Sequence, residues 1–448
     1  MAKLSGFPEY LPAERIVEQY VLDHLRRTFE LHGFANIETR AVEPVSELLR
    51  KGEIDKEVYA VRRLQAEAES SDKDELALHF DLTVPFARYV VENSNDLDFP
   101  FRRYQIQKVW RGERPQQGRF REFTQADIDI VGRDSLPFHA DVEVAQVMAE
   151  ALAGLPVPQL TLQVNNRKLL EGFYLGVGAT DPAAVMQVVD KLDKLPGEKI
   201  IELLQSDAGL DMRQAELCVA VAQICTTDGS FVDQVRALGV EHPMLDEGLE
   251  ELRLVVEGAT APDGVTVTAD LRIARGLDYY TGTVFETRMA GYEHLGSICS
   301  GGRYDQLARD NRSTYPGVGI SLGVSRLLAP LFADGLKADR SVPSVVLVVL
   351  LDEDSRAASN AVAQALRARG IATEIAPKPQ KFGQQIRHAE RRGIPFVWFP
   401  ESGDGSAHQV KDIRSGDQAA ADPATWTPPT DDLRPRLVTP ETTEETTP

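Results

Sequence analysis

Apolar residues recur with a helical period over residues 13–32, at Ile16, Val17, Tyr20, Val21, Leu25 and Phe29, and Gly33 stands where a helix cap would fall. That pattern predicts an amphipathic helix feeding a strand at 35–39. At 103–111 the period changes to two: Arg103, Gln105, Gln107, Val109 and Arg111 alternate with Tyr104, Ile106, Lys108 and Trp110. After a loop at 112–118 the alternation resumes, with Arg119, Arg121, Phe123, Gln125, Asp127 and Asp129 opposite Phe120, Ala126, Ile128 and Ile130. A long antiparallel hairpin with one polar face is the prediction. Residues 165–260 read as helix-rich, and strand-like segments return at 265–271 and 281–288.

A polar link at 334–340 leads to a different pattern. The run 345–350 is continuously apolar and β-branched, 355–369 is helical in period, 371–375 is a strand, 381–392 a helix and 396–399 a strand. Strands alternating with helices at this spacing predict a small α/β domain with a largely parallel sheet. Beyond Thr425, Pro, Thr and Glu rise while apolar residues thin out, which predicts a disordered tail. The expected organisation is therefore a body at 1–330 with a helical insertion at about 165–260, a linker at 331–340, the α/β domain at 341–425 and a tail at 426–448.

Composition narrows the function classes. The 448 residues are 42% hydrophobic and 26% charged, ordinary for a folded protein, with no run near the roughly eighteen apolar residues of a membrane helix. One Lys and no apolar core among the first eleven residues argue against a signal peptide, so a cytoplasmic location is expected. Cys218, Cys225 and Cys299 are too few and too scattered for a disulfide framework or a zinc cluster, and all three read as buried thiols. The net charge of -20 excludes binding nucleic acid by a general basic surface, so any such contact must be local. Residues 341–420 are nearly neutral, with ten Lys/Arg against nine Asp/Glu.

The hairpin concentrates the candidate chemistry. Arg111, Glu113, Arg119, Arg121, Gln125 and Asp129 gather on or near one face. Such a face is either solvated and laced with ion pairs or built for a ligand. In the second case Arg offers a planar fork to phosphates, while Gln and Asp suit an ammonium or an imidazole N–H.

Here the residues resemble a known family. RGERPQQGRFREFTQADIDIVG, at 111–132, is similar to motif 2 of class II aminoacyl-tRNA synthetases in its histidyl form. The resemblance implies that Arg111 bridges the histidine carboxylate and the ATP α-phosphate, that Glu113 sits on the adenine side, and that Gln125 and Asp129 meet the α-amino group and the imidazole. FDLTVPFARYV, at 80–90, resembles the family's amino-group clamp, with Asp81 and Thr83 two apart on an expected strand; His79 and Phe80 stand where the family often has Arg-Tyr. ARGLDYYTGTVFE, at 274–286, resembles a signature of histidyl synthetases and their close paralogues. It implies that Arg275 is a fixed cation at the α-phosphate and that Tyr280, beside Tyr279, contacts the ring. SGGRYDQL, at 300–307, also matches, and GVGISLGVSRLL, at 317–328, resembles motif 3, whose Arg stacks on ATP: Arg326 here, preceded by Ser325 where the family usually has Glu. Pro44 falls where motif 1 places its proline at a dimer interface. KFGQQIRHAERRGIPFVWF, at 381–399, and VKDIRSGDQ, at 410–418, resemble the histidyl anticodon-binding domain, with Arg391 and Arg392 as tRNA contacts or else members of a solvated helix face.

What the resemblance implies is an α+β fold: a mixed, mainly antiparallel catalytic sheet with a helical insertion, followed by an α/β anticodon-binding domain. It implies ATP-dependent, Mg2+-assisted activation of L-histidine to the adenylate, transfer to tRNA(His), and a homodimer. Two readings compete. A noncatalytic paralogue would bind histidine and regulate a biosynthetic enzyme, but such proteins tend to lose the arginines at 111, 275 and 326 and the terminal domain. An RNA-binding module unconnected to catalysis would not need the hairpin's residue set.

Overall fold

The computed structural model describes residues 4–49, 57–64, 75–274, 279–401 and 407–439. The chain divides into two compact units, one of Met1–Pro8 and Val21–Pro330, the other of Glu9–Tyr20 and Leu331–Pro448. The dividing line runs through the first helix, Pro12–Leu31, so residues 9–20 group with the C-terminal unit and not with a body at 1–330.

The larger unit is framed by a nine-stranded sheet. Its order is Ala35–Asn36, Phe101–Trp110, Glu122–Val131, Gly317–Gly323, Cys299–Tyr304, Thr283–Met289, Leu160–Asn166, Val265–Asp270 and Cys225–Thr226. Only 35–36 with 101–110 and 160–166 with 265–270 pair in parallel among these strands, so the sheet is mixed and mainly antiparallel. The predicted hairpin takes the second and third places in the order, next to the short edge strand Ala35–Asn36. Its strands stop at Trp110 and restart at Glu122, which leaves Arg111, Arg119 and Arg121 in the connecting segment. Arg103, Gln105, Gln125, Asp127 and Asp129 are all buried, which removes the solvated-face reading.

The back of the sheet is closed by the helix His139–Ala153. Arg303 leaves its strand on the side opposite Tyr304 and forms a buried ion pair with Asp141 of that helix at 2.7 Å. The helical stretch at 167–258 belongs to this unit. Asn166 ends a strand and caps the helix Arg167–Gly176, its side chain accepting the N–H groups of Lys168 and Leu169. That helix meets Pro243–Gly258 backbone to backbone: a Cβ on Gly172 would lie 2.2 Å from the Leu245 nitrogen, and one on Gly248 would lie 2.2 Å from the Leu169 nitrogen. The same stretch contributes the edge strand Cys225–Thr226, and this edge position exposes Cys225, contrary to expectation, while Cys218 and Cys299 are buried.

The expected strand holding Asp81 and Thr83 is replaced by a turn and a helix. The strand Leu76–Leu78 pairs with Val42–Pro44 and Ala60–Val61, and the helix Thr83–Glu92 begins five residues after it ends. Asp81 Oδ1 accepts the Val84 N–H at 3.0 Å, satisfying a first-turn donor, and Pro85 occupies a position with no helical N–H to lose.

The C-terminal unit has a five-stranded sheet ordered Thr373–Ile375, Val346–Val348, Phe396–Phe399, Gln409–Asp412 and Gln418–Ala420. The first two pairings are parallel and the last two antiparallel, so the sheet is mixed and not largely parallel. Val346 and Val348 pack on one face with Val362, Leu366 and Trp398, while Leu347 and Val349 pack on the other with Ala389 and Val397. Burial on both faces accounts for the uninterrupted apolar run.

Residues 426–439 are ordered, against the prediction of a disordered tail, and 440–448 lie outside the described residues. Trp426 packs edge-on against Phe396 and Trp398, with ring centroids 5.3 and 5.5 Å away. Asp432 is buried, and its carboxylate takes Arg414 at 2.8 Å and Arg436 at 2.7 Å while its carbonyl accepts Arg340 at 2.8 Å. Leu437–Val438 pairs with Lys337–Ala338, so the supposed linker is a strand partner of the supposed tail.

Candidate active site

Strand register assembles the site from the hairpin outward. Arg103 stands opposite Asp129, Gln105 opposite Asp127 and Gln107 opposite Gln125. On the other side, Gly319 faces Asp129 and Ser321 faces Asp127. Asp129 is held at both oxygens: the Tyr304 hydroxyl donates to Oδ1 at 2.7 Å, and Arg103 Nη2 lies 2.6 Å from Oδ2. Room for this carboxylate comes from Gly319, where a Cβ would lie 2.0 Å from Asp129 Oδ1. Arg103 is fully buried, with its guanidinium 4.2 Å from the Phe86 ring centre. Gln125 Nε2 donates to Ser321 Oγ at 2.6 Å, and its buried Oε1 has no hydrogen-bond partner among the described residues.

A cavity of about 130 Å³ opens over this face, lined by Asp81, Thr83, Arg111, Gln125, Asp129, Tyr279 and Tyr280 among others. The Tyr279 hydroxyl donates to that of Tyr280 at 2.7 Å. Burial holds the hydroxyls of Tyr280 and Tyr304 well above the usual tyrosine range, so both stay neutral donors. A second cavity of about 110 Å³ adjoins it, lined by Glu113, Arg119, Phe123 and Arg326, and the two share Arg111, Gln125, Ser300 and Ser321.

Arg111 stands at the junction. Its guanidinium lies 4.4 Å from the Phe80 ring centre and 5.0 Å from that of Phe123, and its Nε donates to the Phe80 carbonyl at 3.2 Å. Glu113 approaches Arg111 at 3.9 Å and Arg119 at 3.8 Å. Phe80 therefore orients the cation by stacking and by its carbonyl. His79 is buried beside Trp110 with Nε2 2.6 Å from the Lys108 carbonyl, and burial pushes its pKa down, so it is a neutral packing residue. Ser325 has a definite place too: its Oγ accepts the Thr124 N–H at 3.0 Å, joining the start of the helix Val324–Ala333 to the strand that carries Gln125.

The predicted residues thus fall into groups. Asp81, Thr83, Arg111, Gln125, Asp129, Tyr279 and Tyr280 meet at the first cavity, and Arg111, Glu113 and Arg326 meet at the second. Arg391 and Arg392 lie in the last turn of the helix Phe382–Arg392 of the other unit, Arg391 exposed and Arg392 ion-paired with Glu374. Arg275 lies outside the described residues. The sequence reading missed Arg103, Tyr304, Ser321 and Asp127. Tyr304 was within reach, inside the SGGRYDQL motif, and Asp127 stood in the hairpin alternation between two chosen residues. Burial drives the Asp127 carboxyl up to about 7, against the opposing pull of Arg103 and Ser321.

Comparison with known proteins agrees with this geometry. Residues 6–327 match the family model for histidyl-tRNA synthetase, and 345–411 match that for an anticodon binding domain. The chain is 58% identical over 445 residues to the histidine–tRNA ligase of Cutibacterium acnes, covering 97% of this chain and 98% of that one. It is 51% identical over 425 residues to that of Thermobifida fusca, covering 94% and 97%. Among solved structures it is similar to the histidyl-tRNA synthetase from Nostoc sp. PCC 7120, with a TM-score of 0.83 and 34% identity over 93% of this chain and 96% of that one. The fold alone is shared with a Bacillus halodurans protein described as an ATP phosphoribosyltransferase regulatory subunit/histidyl-tRNA synthetase, at a TM-score of 0.69 and 21% identity, covering 84% of this chain and 92% of that one. The chain belongs to the histidyl-tRNA synthetase family.

Proposed function

We propose that this protein activates L-histidine with ATP and transfers it to tRNA(His). The observation that carries this reading is the meeting of two cavities at Arg111, one lined by carboxylates and tyrosines and the other by cations and a phenylalanine. Histidine occupies the first. Its ring nitrogens face Asp129 and the Tyr279–Tyr280 pair, its ammonium faces Asp81, Thr83 and Gln125, and its carboxylate points to Arg111. An amino acid without a ring of that pattern would leave these buried groups unpaired, which is the physical source of selectivity.

ATP occupies the second cavity, with Glu113 on the adenine side and Arg326 stacked on the nucleotide. The histidine carboxylate attacks the α-phosphate in line, the bond to the β-phosphate breaks and pyrophosphate leaves, and Arg111, with Arg275, stabilises the charge that develops there. Mg2+ enters with the nucleotide phosphates, and Arg111, Arg119 and Arg326 of the second cavity supply the chain's own positive charge there. Positioning supplies the remainder. No cysteine lines either cavity, and burial pushes the Cys218 thiol up to about 12, so no thiol nucleophile is part of this scheme. A ribose hydroxyl of the tRNA then attacks the acyl carbon of the adenylate, forming the ester as the mixed-anhydride bond breaks, with AMP leaving and the hydroxyl proton passing to its phosphate or to solvent.

The C-terminal unit holds the tRNA, with the exposed Arg391 available to phosphate and Arg392 reachable once it leaves Glu374. Dimerisation about the segment holding Pro44, and residence in the cytoplasm, belong to the same proposal; no described helix is long and apolar enough to cross a membrane. Charging of a tRNA(His) transcript with labelled histidine tests the whole reading. Charging supports it, whereas histidine binding without charging or adenylate formation would favour the regulatory paralogue.

A further inference from the structure

Asp127 lies between Gln125 and Asp129 on one strand and lines the same cavity, yet none of the roles above uses it. The groups facing it come from every neighbouring element. Arg103 and Gln105 stand on one adjacent strand and Ser321 on the other; Asp129 is on its own strand, Asp81 precedes the helix Thr83–Glu92, and Cys299 is also within its electrostatic reach. Arg111, Tyr280 and Tyr304 complete the cavity wall.

The three carboxylates are not equivalent. Asp129 is engaged at both oxygens, by Tyr304 and by Arg103. Asp81 accepts the Val84 N–H. Asp127 has the Ser321 hydroxyl, but its Oδ1 is buried with no hydrogen-bond partner among the described residues. An acceptor left unmet inside a polar cavity is costly unless a donor arrives, and beside it Gln125 Oε1 is in the same condition. Two unmet acceptors on one strand face, two residues apart, suit a group with several N–H donors and a positive charge.

We propose that Asp127 Oδ1 binds the α-ammonium group of the amino-acid substrate, together with Gln125 Oε1, and thereby selects for ligands that carry that charge. This rests on the assignment of the cavity to histidine. The titration of Asp127 agrees with it. Burial holds the carboxyl up at about 7, and an incoming ammonium favours the ionised form. Binding below pH of about 7 must therefore expel a proton, so affinity weakens as pH falls through that value and levels off above it.

Calorimetric titration from pH 6 to 8 tests this, using histidine and its des-amino analogue imidazolepropionate against wild-type protein, Asp127→Asn and Asp129→Asn. The ring of imidazolepropionate lacks the neighbouring ammonium and is the more basic of the two, so the free-ligand ring titration of each is measured and subtracted before the pH slopes are compared. Asp127→Asn should weaken histidine by roughly ten- to a hundredfold and leave imidazolepropionate within about threefold of wild type. In wild-type protein histidine should show the steeper pH dependence, and the difference should vanish in Asp127→Asn. Unchanged histidine affinity, or an equal loss for both ligands, would overturn the proposal. Should Asp127→Asn fail to fold, the wild-type comparison decides alone: equal pH slopes for the two ligands refute it. If Asp129→Asn binds both ligands like wild type, the cavity assignment itself is wrong, an outcome separate from failure of Asp127.

Discussion

Replacing Tyr304 by Phe removes one oxygen and little else. That oxygen donates to Asp129 Oδ1 at 2.7 Å inside a closed part of the site, where Tyr304 is 3% exposed and Asp129 is 4% exposed. Asp129 would lose this donor and with it the constraint that aims its carboxylate at the substrate ring. A hydrogen bond to a charged acceptor contributes about 1.5–3 kcal/mol, equivalent to roughly ten- to a hundredfold in affinity. The assay is pyrophosphate exchange with histidine and ATP varied separately. The KM for histidine should rise by that factor. The KM for ATP should stay within about twofold, because the nucleotide cavity is lined by other residues. A folded Tyr304→Phe protein with an unchanged histidine KM, or one in which both KM values rise together, would refute the reasoning that Tyr304 acts through Asp129.

Three further outcomes follow from the same contacts. Arg111→Ala should lower kcat for adenylate formation by at least about a hundredfold, the usual scale for losing a preorganised charge-stabilising donor, and calorimetry should also find histidine weakened by roughly tenfold or more, because its carboxylate loses the same cation. Ser325→Ala leaves the buried Thr124 N–H without its acceptor and should cost about 1–3 kcal/mol in denaturant unfolding, with a smaller effect on turnover. Arg414 and Arg436 hold the Asp432 carboxyl below the usual aspartate range, so this carboxylate stabilises the C-terminal segment at all pH values above the unfolded pKa, and the stabilisation is lost as pH falls through the depressed folded value. Limited proteolysis should accordingly find 426–439 protected at pH 7, and Asp432→Ala should release it there.

Much of the catalytic sheet was legible because a period of two survives burial: alternation located the hairpin and put Gln125 and Asp129 on one face. What alternation could not show was which carboxylate on that face already has partners. That depends on Arg103, Tyr304 and Ser321, contributed by three other strands, and so Asp127 was not singled out. Asp81 and Thr83, two apart, were expected on one face of a strand, yet Asp81 accepting the Val84 N–H and Pro85 in the first turn set a helix instead. Order at 426–439 was invisible for a related reason. The segment is polar, and its stability comes from Trp426 on a distant sheet and from Asp432 meeting three arginines far apart in sequence. Ser325 looked like an unexplained departure until Thr124 supplied its donor.

Histidine-dependent exchange of labelled pyrophosphate into ATP, run on the purified chain with each other amino acid in parallel, most directly tests whether the two cavities meeting at Arg111 form one activation site. The account predicts exchange with histidine and background rates with the rest. Exchange that is absent with histidine while calorimetry still detects its binding, or that proceeds equally with other amino acids, would contradict it.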